Sequence, residues 1–349
     1  MAGMQAKEAD VTVWAPGLAV ETTMTQFENL VFKGGGAKCI AYAGAIAALE
    51  ARGTLADVRR IAGTSTGSAA AVLLALGADG AALARIFSAT SFSAFEDGSF
   101  GFFPNVWRLF TRYGWFKGDA FSQWLRREIA ALCGDENLSF AALAERAYDE
   151  PQRFRELYVV GTDLSAQRAG VFSFETTPDV PLWLAVRISM SMPLLFAAVD
   201  YAGDVWVDGG LSWNYPIEIF DRARYVNGAA GDGNVRVYNP ATLGFRVDTR
   251  AQITAEREGR YLPAIKVGNF LAYAKAFVNF AIGMANKSHL EPADWHRTVF
   301  IDVREVGTTD FSIGAAGIAA LIESGRRDTE SYFRWFETAT GEDAPLNRI

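Results

Sequence analysis

The segment RRIAGTSTGSAA, residues 59 to 70, sets Ser65 midway between Gly63 and Gly67, where an apolar strand would run into a small-residue helix. An attacking hydroxyl must leave the backbone and point into open space. A tight strand-to-helix turn does this but crowds its neighbours, and glycine two residues before and two after relieves the crowding. The turn also sets the serine at a helix N-terminus, where unpaired N–H groups and the helix dipole favour developing negative charge. The chemistry open to such a serine is nucleophilic attack on a carbonyl.

A second constellation is GGGAK, Gly34 to Lys38, which ends the apolar stretch NLVFK and opens a helix. Consecutive glycines let backbone N–H groups face one anion. One reading is a phosphate cradle for a nucleotide. The other is an oxyanion hole built by Gly34, Gly35, Gly36, Ala37 and Lys38. The dinucleotide pattern G-x-G-x-x-G asks for glycine at position 39, which is Cys39, although Asp57 lies roughly where a ribose-binding acid would sit. The P-loop pattern is absent. The oxyanion reading needs the loop beside Ser65, which two adjacent parallel strands would achieve. Lys38 reads as a solvated surface lysine and Cys39 as a small packed side chain.

The base that would take the serine's proton has two candidates. The two histidines, His289 and His296, sit in NKSHLEPADWHRTVF, a polar stretch expected to be a surface loop. The order Ser65, Asp208, His289 matches that of α/β-hydrolases. Alternatively, VWVDGG ends an apolar strand with Asp208, followed by Gly209 and Gly210. Burial would raise the pKa of that carboxylate towards a useful base acting directly. Spacing alone leaves both open.

The elements that must position these residues read as alternating strands and helices. NLVF and DVRRIAG predict strands, and AKCIAYAGAIAALEARG, with Gly53 as C-cap, and SAAAVLLALGA predict the helices that follow them. Such alternation argues for an α/β protein with a parallel sheet. FRELYVVGTDLS and GVFSFETT read as further strands, PLWLAVRISMSMPLLF as a helix stopped by Pro193, and YAGDVWVDGGLSWNYP as strand, turn, strand and exit. Residues 1–26 read as a loose lead-in and 27–349 as one domain, mainly helical over 250–349 with a short strand at RTVFIDV. Residues 87–121 hold nine Phe, two Trp and one Tyr, a composition suited to a lid or membrane-contact face if exposed, and to a core-covering subdomain if buried. NFLAYAKAFVNFAIGMANK has helical apolar spacing and is expected to pack into the core.

Composition bounds the rest. Half of the 349 residues are hydrophobic and 21% are charged, as in a soluble globular protein. A net charge of −7 argues against a nucleic-acid partner. Two cysteines cannot build a disulfide framework. MAGMQAKEADVTVW lacks a basic leader followed by an apolar run, so no conventional secretory signal is expected. The uncharged run at 61–78 is interrupted by glycine and reads as a buried turn and helix, not a membrane span.

GGGAK, GTSTG and DGG in this order resemble the patatin-like phospholipases, whose motifs are G-G-G-x-[KR]-G, G-x-S-x-G and D-G-[AG]. TDLSAQRAGVFS, AVRISMSMPLLF and VDGGLSWNYPIEIFD resemble the family in register, and the likeness covers about residues 28–225. It implies a three-layer α/β/α fold with a mainly parallel central sheet. It implies hydrolysis of fatty acyl esters by a Ser-Asp dyad without histidine, with no metal in the step and no cofactor. By the resemblance Ser65 is the nucleophile, Asp208 its general base, and the amides of Gly35 and Gly36 with their loop neighbours the oxyanion hole. Cys39 departs from the motif's final glycine. The implied substrate is a phospholipid or other lipid ester, met at a membrane surface, by a protein in the cytoplasm or exported without a conventional signal. The alternatives are an α/β-hydrolase with a Ser-Asp-His triad, a nucleotide-binding module, and a catalytically idle membrane-binding protein.

Overall fold

The computed structural model describes residues 26–98, 102–229, 232–258, 260, 267–285, 290–307, 310, 313–339 and 347. The expected lead-in therefore lies, but for residue 26, outside the described residues. In chain order, β1 (Asn29–Phe32) leads through a 3-10 turn (Gly36–Ile40) into α1 (Ala41–Ala51), and β2 (Arg60–Thr64) leads into α2 (Thr66–Ala75). Then come α3 (Gly80–Ala89), α4 (Phe102–Arg112), β3 (Gly114–Phe116), α5 (Asp119–Cys133), α6 (Phe140–Asp149), β4 (Glu156–Asp163) and β5 (Arg168–Phe172). α7 (Leu182–Ser189), β6 (Leu194–Phe196), β7 (Val199–Tyr201), β8 (Asp204–Asp208) and the single-turn α8 (Gly210–Trp213) follow. The chain continues with β9 (Thr242–Asp248), α9 (Arg250–Glu258), α10 (Phe270–Ala285), α11 (Pro292–His296), β10 (Thr298–Asp302) and α12 (Ala315–Thr338).

The central sheet has the order β10-β9-β1-β2-β4-β8-β7, with β5 also on β4. Its five strands from β10 to β4 are parallel, and β5, β7 and β8 run antiparallel to their neighbours. All four residues of β1 are buried, as parallel strands covered on both faces require. Leu30, Phe32, Ile61 and Phe245 face a core shared with α1, α2 and α12. Val31, Ala62 and Val160 face Tyr215, Ile217 and Phe220 on the other side. The protein is thus an α/β fold with a mostly parallel central sheet between covering layers.

One pairing detail positions the chemistry. β2 runs parallel to β4 and ends with Thr64 opposite Val160. β8 runs antiparallel to β4 and ends with Asp208 opposite Gly161. β5 occupies β4's other edge over the same residues. β2 and β8 therefore approach along one edge of β4 from opposite directions and stop one residue apart. Asp208 thus ends an antiparallel strand that meets the strand of Ser65 end to end.

α1, which carries on from the glycine loop, is seated by α12. A Cβ added to Gly44 would stand 1.7 Å from Ile322 O, and one on Gly325 would stand 1.8 Å from Ala41 O. The two helices touch backbone to backbone through reciprocal glycines. The aromatic segment divides: Phe87, Phe95 and Phe121 are buried, with Phe95 5.4 Å from the Trp124 ring, while Trp107, Phe110 and Tyr113 are exposed. Among the described residues no helix is long and apolar enough to cross a membrane.

Candidate active site

Ser65 is held in a backbone conformation that L-residues seldom adopt, with φ 51° and ψ −132°. Such strain persists only where the surroundings over-determine it. They do so here. A Cβ on Gly63 would stand 2.6 Å from Gly67 O, and one on Gly67 would stand 2.5 Å from Phe32 O, so only glycine fits either position. The Ser65 N–H donates to Ser189 Oγ at 2.7 Å, and Ser189 Oγ donates onward to Val160 O at 2.5 Å. The turn is pinned at both flanks and through its own amide.

The Ser65 hydroxyl donates to Asp208 Oδ2 at 2.7 Å. Asp208 Oδ1 accepts the Gly210 N–H at 2.7 Å, so both carboxylate oxygens are engaged and the Ser–Asp contact is direct. Asp208 is 1% exposed. Burial pushes its carboxyl up to about 7, against the opposing pull of the Ser65 hydroxyl and the Gly210 amide. A base poised near neutrality is matched to proton transfer at ordinary pH. Gly209 is required by close approach, since a Cβ there would stand 2.1 Å from Val160 O.

The glycine loop lies beside the serine: a Cβ on Gly34 would stand 3.0 Å from Ser65 Cβ. Its amides divide between two uses. Gly34 N–H donates to Asn214 O at 3.1 Å and Gly35 N–H to Thr66 Oγ1 at 3.2 Å, so both serve the protein itself. Gly36, at φ 60°, and Ala37 open the 3-10 turn, and the first amides of such a turn have no carbonyl within it to bond. Lys38 is not solvated as expected. It is 4% exposed and donates to Gln252 Oε1 at 3.1 Å, because α9 closes over it. Lys33, just before the glycines, forms a partly buried ion pair with Asp248, which Arg246 Nε also meets at 2.9 Å. Burial works against the Asp248 charge, but Lys33 and Arg246 outweigh it and hold the carboxyl well below its usual range. Both lysines flanking the loop are thus anchored on β9 and the start of α9.

Cys39 is buried, with Sγ 2.9 Å from Thr66 Oγ1, and burial pushes its thiol up to about 12. It is a packed side chain and no ready nucleophile. His296 lies on α11, its ring stacked on Trp335 at 5.4 Å, and His289 lies outside the described residues. Asp57 sits in the turn before β2, whereas the glycine loop follows the C-terminal end of the parallel β1. The two are at opposite ends of the sheet, so Asp57 cannot serve a ligand at the loop. That removes the acid from the dinucleotide reading.

Three residues that composition and spacing left unmarked hold the site together. Ser189 has been described. Asn214 Nδ2 donates to Gly34 O at 3.3 Å, closing a reciprocal pair with the loop. Arg187, 7% exposed, donates to Lys117 O at 2.7 Å, Ala197 O at 3.0 Å and Ser191 Oγ, while Ser191 O accepts the Asp208 N–H at 2.9 Å. Each lies in a segment that matches the resemblance, yet a serine, an asparagine and an arginine carry no local sign of these roles.

A patatin-like phospholipase family model matches residues 30–221, which include the loop, the elbow and the strand ending at Asp208. An uncharacterised protein of Acanthamoeba polyphaga mimivirus is 30% identical over 201 residues, covering 56% of this chain and 62% of that protein. Protein YqhO of Bacillus subtilis (strain 168) is 27% identical over 318 residues, covering 87% of this chain and 97% of its own. Among solved structures, VipD from Legionella pneumophila superposes with a TM-score of 0.54 at 16% identity, covering 88% of this chain and 67% of that one. At that identity the likeness is one of fold.

Proposed function

The chain belongs to the patatin-like phospholipase family, and we propose that it hydrolyses carboxylic ester bonds of lipids with Ser65 as nucleophile and Asp208 as general base. The observation that carries this reading is the 2.7 Å hydrogen bond from a hydroxyl on a strained elbow to a buried carboxylate.

The steps follow from the groups present. Asp208 takes the Ser65 proton as Oγ attacks the ester carbonyl. The carbonyl oxygen gains negative charge, and the Gly36 and Ala37 amides are the donors assigned to it, because Gly34 and Gly35 are engaged elsewhere. Asp208 returns the proton to the departing alcohol, leaving an acyl-Ser65 ester. Water then attacks that ester, giving its proton to Asp208 and, on collapse, releasing the fatty acid and restoring the hydroxyl. The catalytic unit assigned here is residues 27–349, with no metal or cofactor in the steps.

A fluorophosphonate probe followed by peptide mapping tests the assignment: the label is expected on Ser65, and a label elsewhere, or none, overturns it. The pH profile gives a second test. Since the base must be ionised and its carboxyl sits at about 7, kcat/KM should rise through an apparent pKa near 7 and fall about tenfold per pH unit below it. A plateau extending down to pH 5 would contradict Asp208 as base. Replacing both His289 and His296 by alanine should leave turnover within about threefold of the parent, since neither is given a role. A loss as large as that of Ser65→Ala would restore the triad reading, in which an imidazole mediates between hydroxyl and carboxylate.

A further inference from the structure

We propose that the exposed aromatic rows of α4 and α10 form one docking surface for an anionic phospholipid bilayer, set beside the Ser65–Asp208 site. The proposal deepens the reading of that site as a lipid hydrolase, but its test does not depend on turnover.

On α4, Trp107 and Phe110 stand three residues apart and are 72% and 76% exposed, and Tyr113 just beyond the helix is 57% exposed. On α10, Tyr273, Phe277 and Phe280 follow the i, i+4, i+7 spacing of one helix face and are 56%, 53% and 67% exposed. The adjoining face of α10 is buried through Ala274 and Val278. The helix expected from sequence to be core is therefore core on one side only, with a second apolar face turned outward. Exposed apolar helix faces of this kind mark an interaction site.

The two helices are carried on one small two-stranded sheet. α4 packs on β3, α10 packs on β6 and α8, and β3 pairs with β6. Val278 of α10 shares a cluster with Met192, and Met190 Sδ lies 3.9 Å from Ser65 Oγ. α8 begins two residues after Asp208. The surface thus adjoins the chemistry.

Charge identifies the occupant. The chain as a whole has 40 acidic and 33 basic residues. Residues 102–117 and 267–285 nevertheless contain no Asp or Glu. Arg112 and Lys117 are exposed. Aromatic rings at the headgroup boundary with bases towards phosphate are the composition that an anionic lipid interface selects.

The experiment uses the full-length Ser65→Ala protein, which leaves the vesicles intact. Flotation is measured with phosphatidylcholine vesicles and with vesicles containing phosphatidylserine, against the same protein carrying Phe110→Ser, Phe277→Ser and Phe280→Ser. Strong flotation with phosphatidylserine vesicles, weakened by salt and reduced tenfold or more by the triple change, supports the proposal. Unchanged thermal unfolding of the variant keeps the comparison fair, since all three side chains are exposed. No flotation, or flotation indifferent to the triple change, overturns it. So does a variant that alters only sedimentation-measured self-association, which would make the surface an interface between copies. Absent ester hydrolysis by the unmodified protein would sink the catalytic reading and leave this result standing.

Discussion

Asp208→Asn is expected to lose ester hydrolysis by about a thousandfold or more and, at neutral pH, to be more stable than the parent protein. The first effect follows because asparagine keeps the shape but cannot accept the Ser65 proton. The Gly210 amide would still find an acceptor in the side-chain oxygen, and the side-chain NH2 would donate to Ser65 Oγ. The second effect follows from linkage. The Asp208 carboxyl is raised from 3.8 to about 7 by burial. Between those values the folded protein holds a proton that the unfolded chain has released, so stability falls as pH rises through this window and stays lower above it. The full loss is roughly 4 kcal/mol, converted from the size of the shift. The asparagine variant has no such loss. Denaturant unfolding at pH 4 and pH 7.5 measures it: the two proteins should be close at pH 4 and the variant ahead at pH 7.5. An asparagine variant that still turns over ester, or one that is weaker at pH 7.5 than at pH 4 relative to the parent, would remove Asp208 from its role.

Gly44→Ala should destabilise the fold by about 3 kcal/mol or more, and Gly325→Ala by a similar amount. A methyl group at 44 would stand 1.7 Å from Ile322 O and 2.8 Å from Arg326 N, and both of those are backbone atoms that no rotamer change can move. The helices would have to separate along their length, exposing Ile318, Leu321 and Phe333 on α12. Gly283→Ala on α10 is the control. Nothing lies within 4 Å of a Cβ there, and alanine is the better helix former, so stability should hold or rise slightly. Equal effects at 44 and 283 in chemical denaturation would mean the close crossing of α1 and α12 is wrong.

Much of the site could be read before any coordinates, because its parts obey local rules. GTSTG between an apolar strand and a small-residue run has the spacing a strained elbow needs, and the glycines do meet backbone at both flanks. The helices and strands around it follow apolar periodicity and turn residues, although the stretch after Asp208, which reads as a strand, is the single-turn α8. What escaped is what depends on distant chain. A strand's direction is not written in its own pattern, so the end-to-end meeting of β2 and β8 along β4 lies beyond local spacing. Lys38 looks like any surface lysine until Gln252, more than two hundred residues later, is folded over it. The aromatic segment stays open and α10 reads as core for one reason: apolar spacing says that a face wants cover but not whether the protein supplies it.

The family match ends at residue 221, yet β1, which delivers the glycine loop, is hydrogen-bonded on one side to β9, residues 242–248. Lys33 finds its countercharge, Asp248, at the tip of that same strand. A fragment trimmed to the recognisable motifs would turn an interior strand into a raw edge and leave a cation stranded beneath the loop. The least distinctive stretch of the chain is therefore the keel on which its most distinctive one rides.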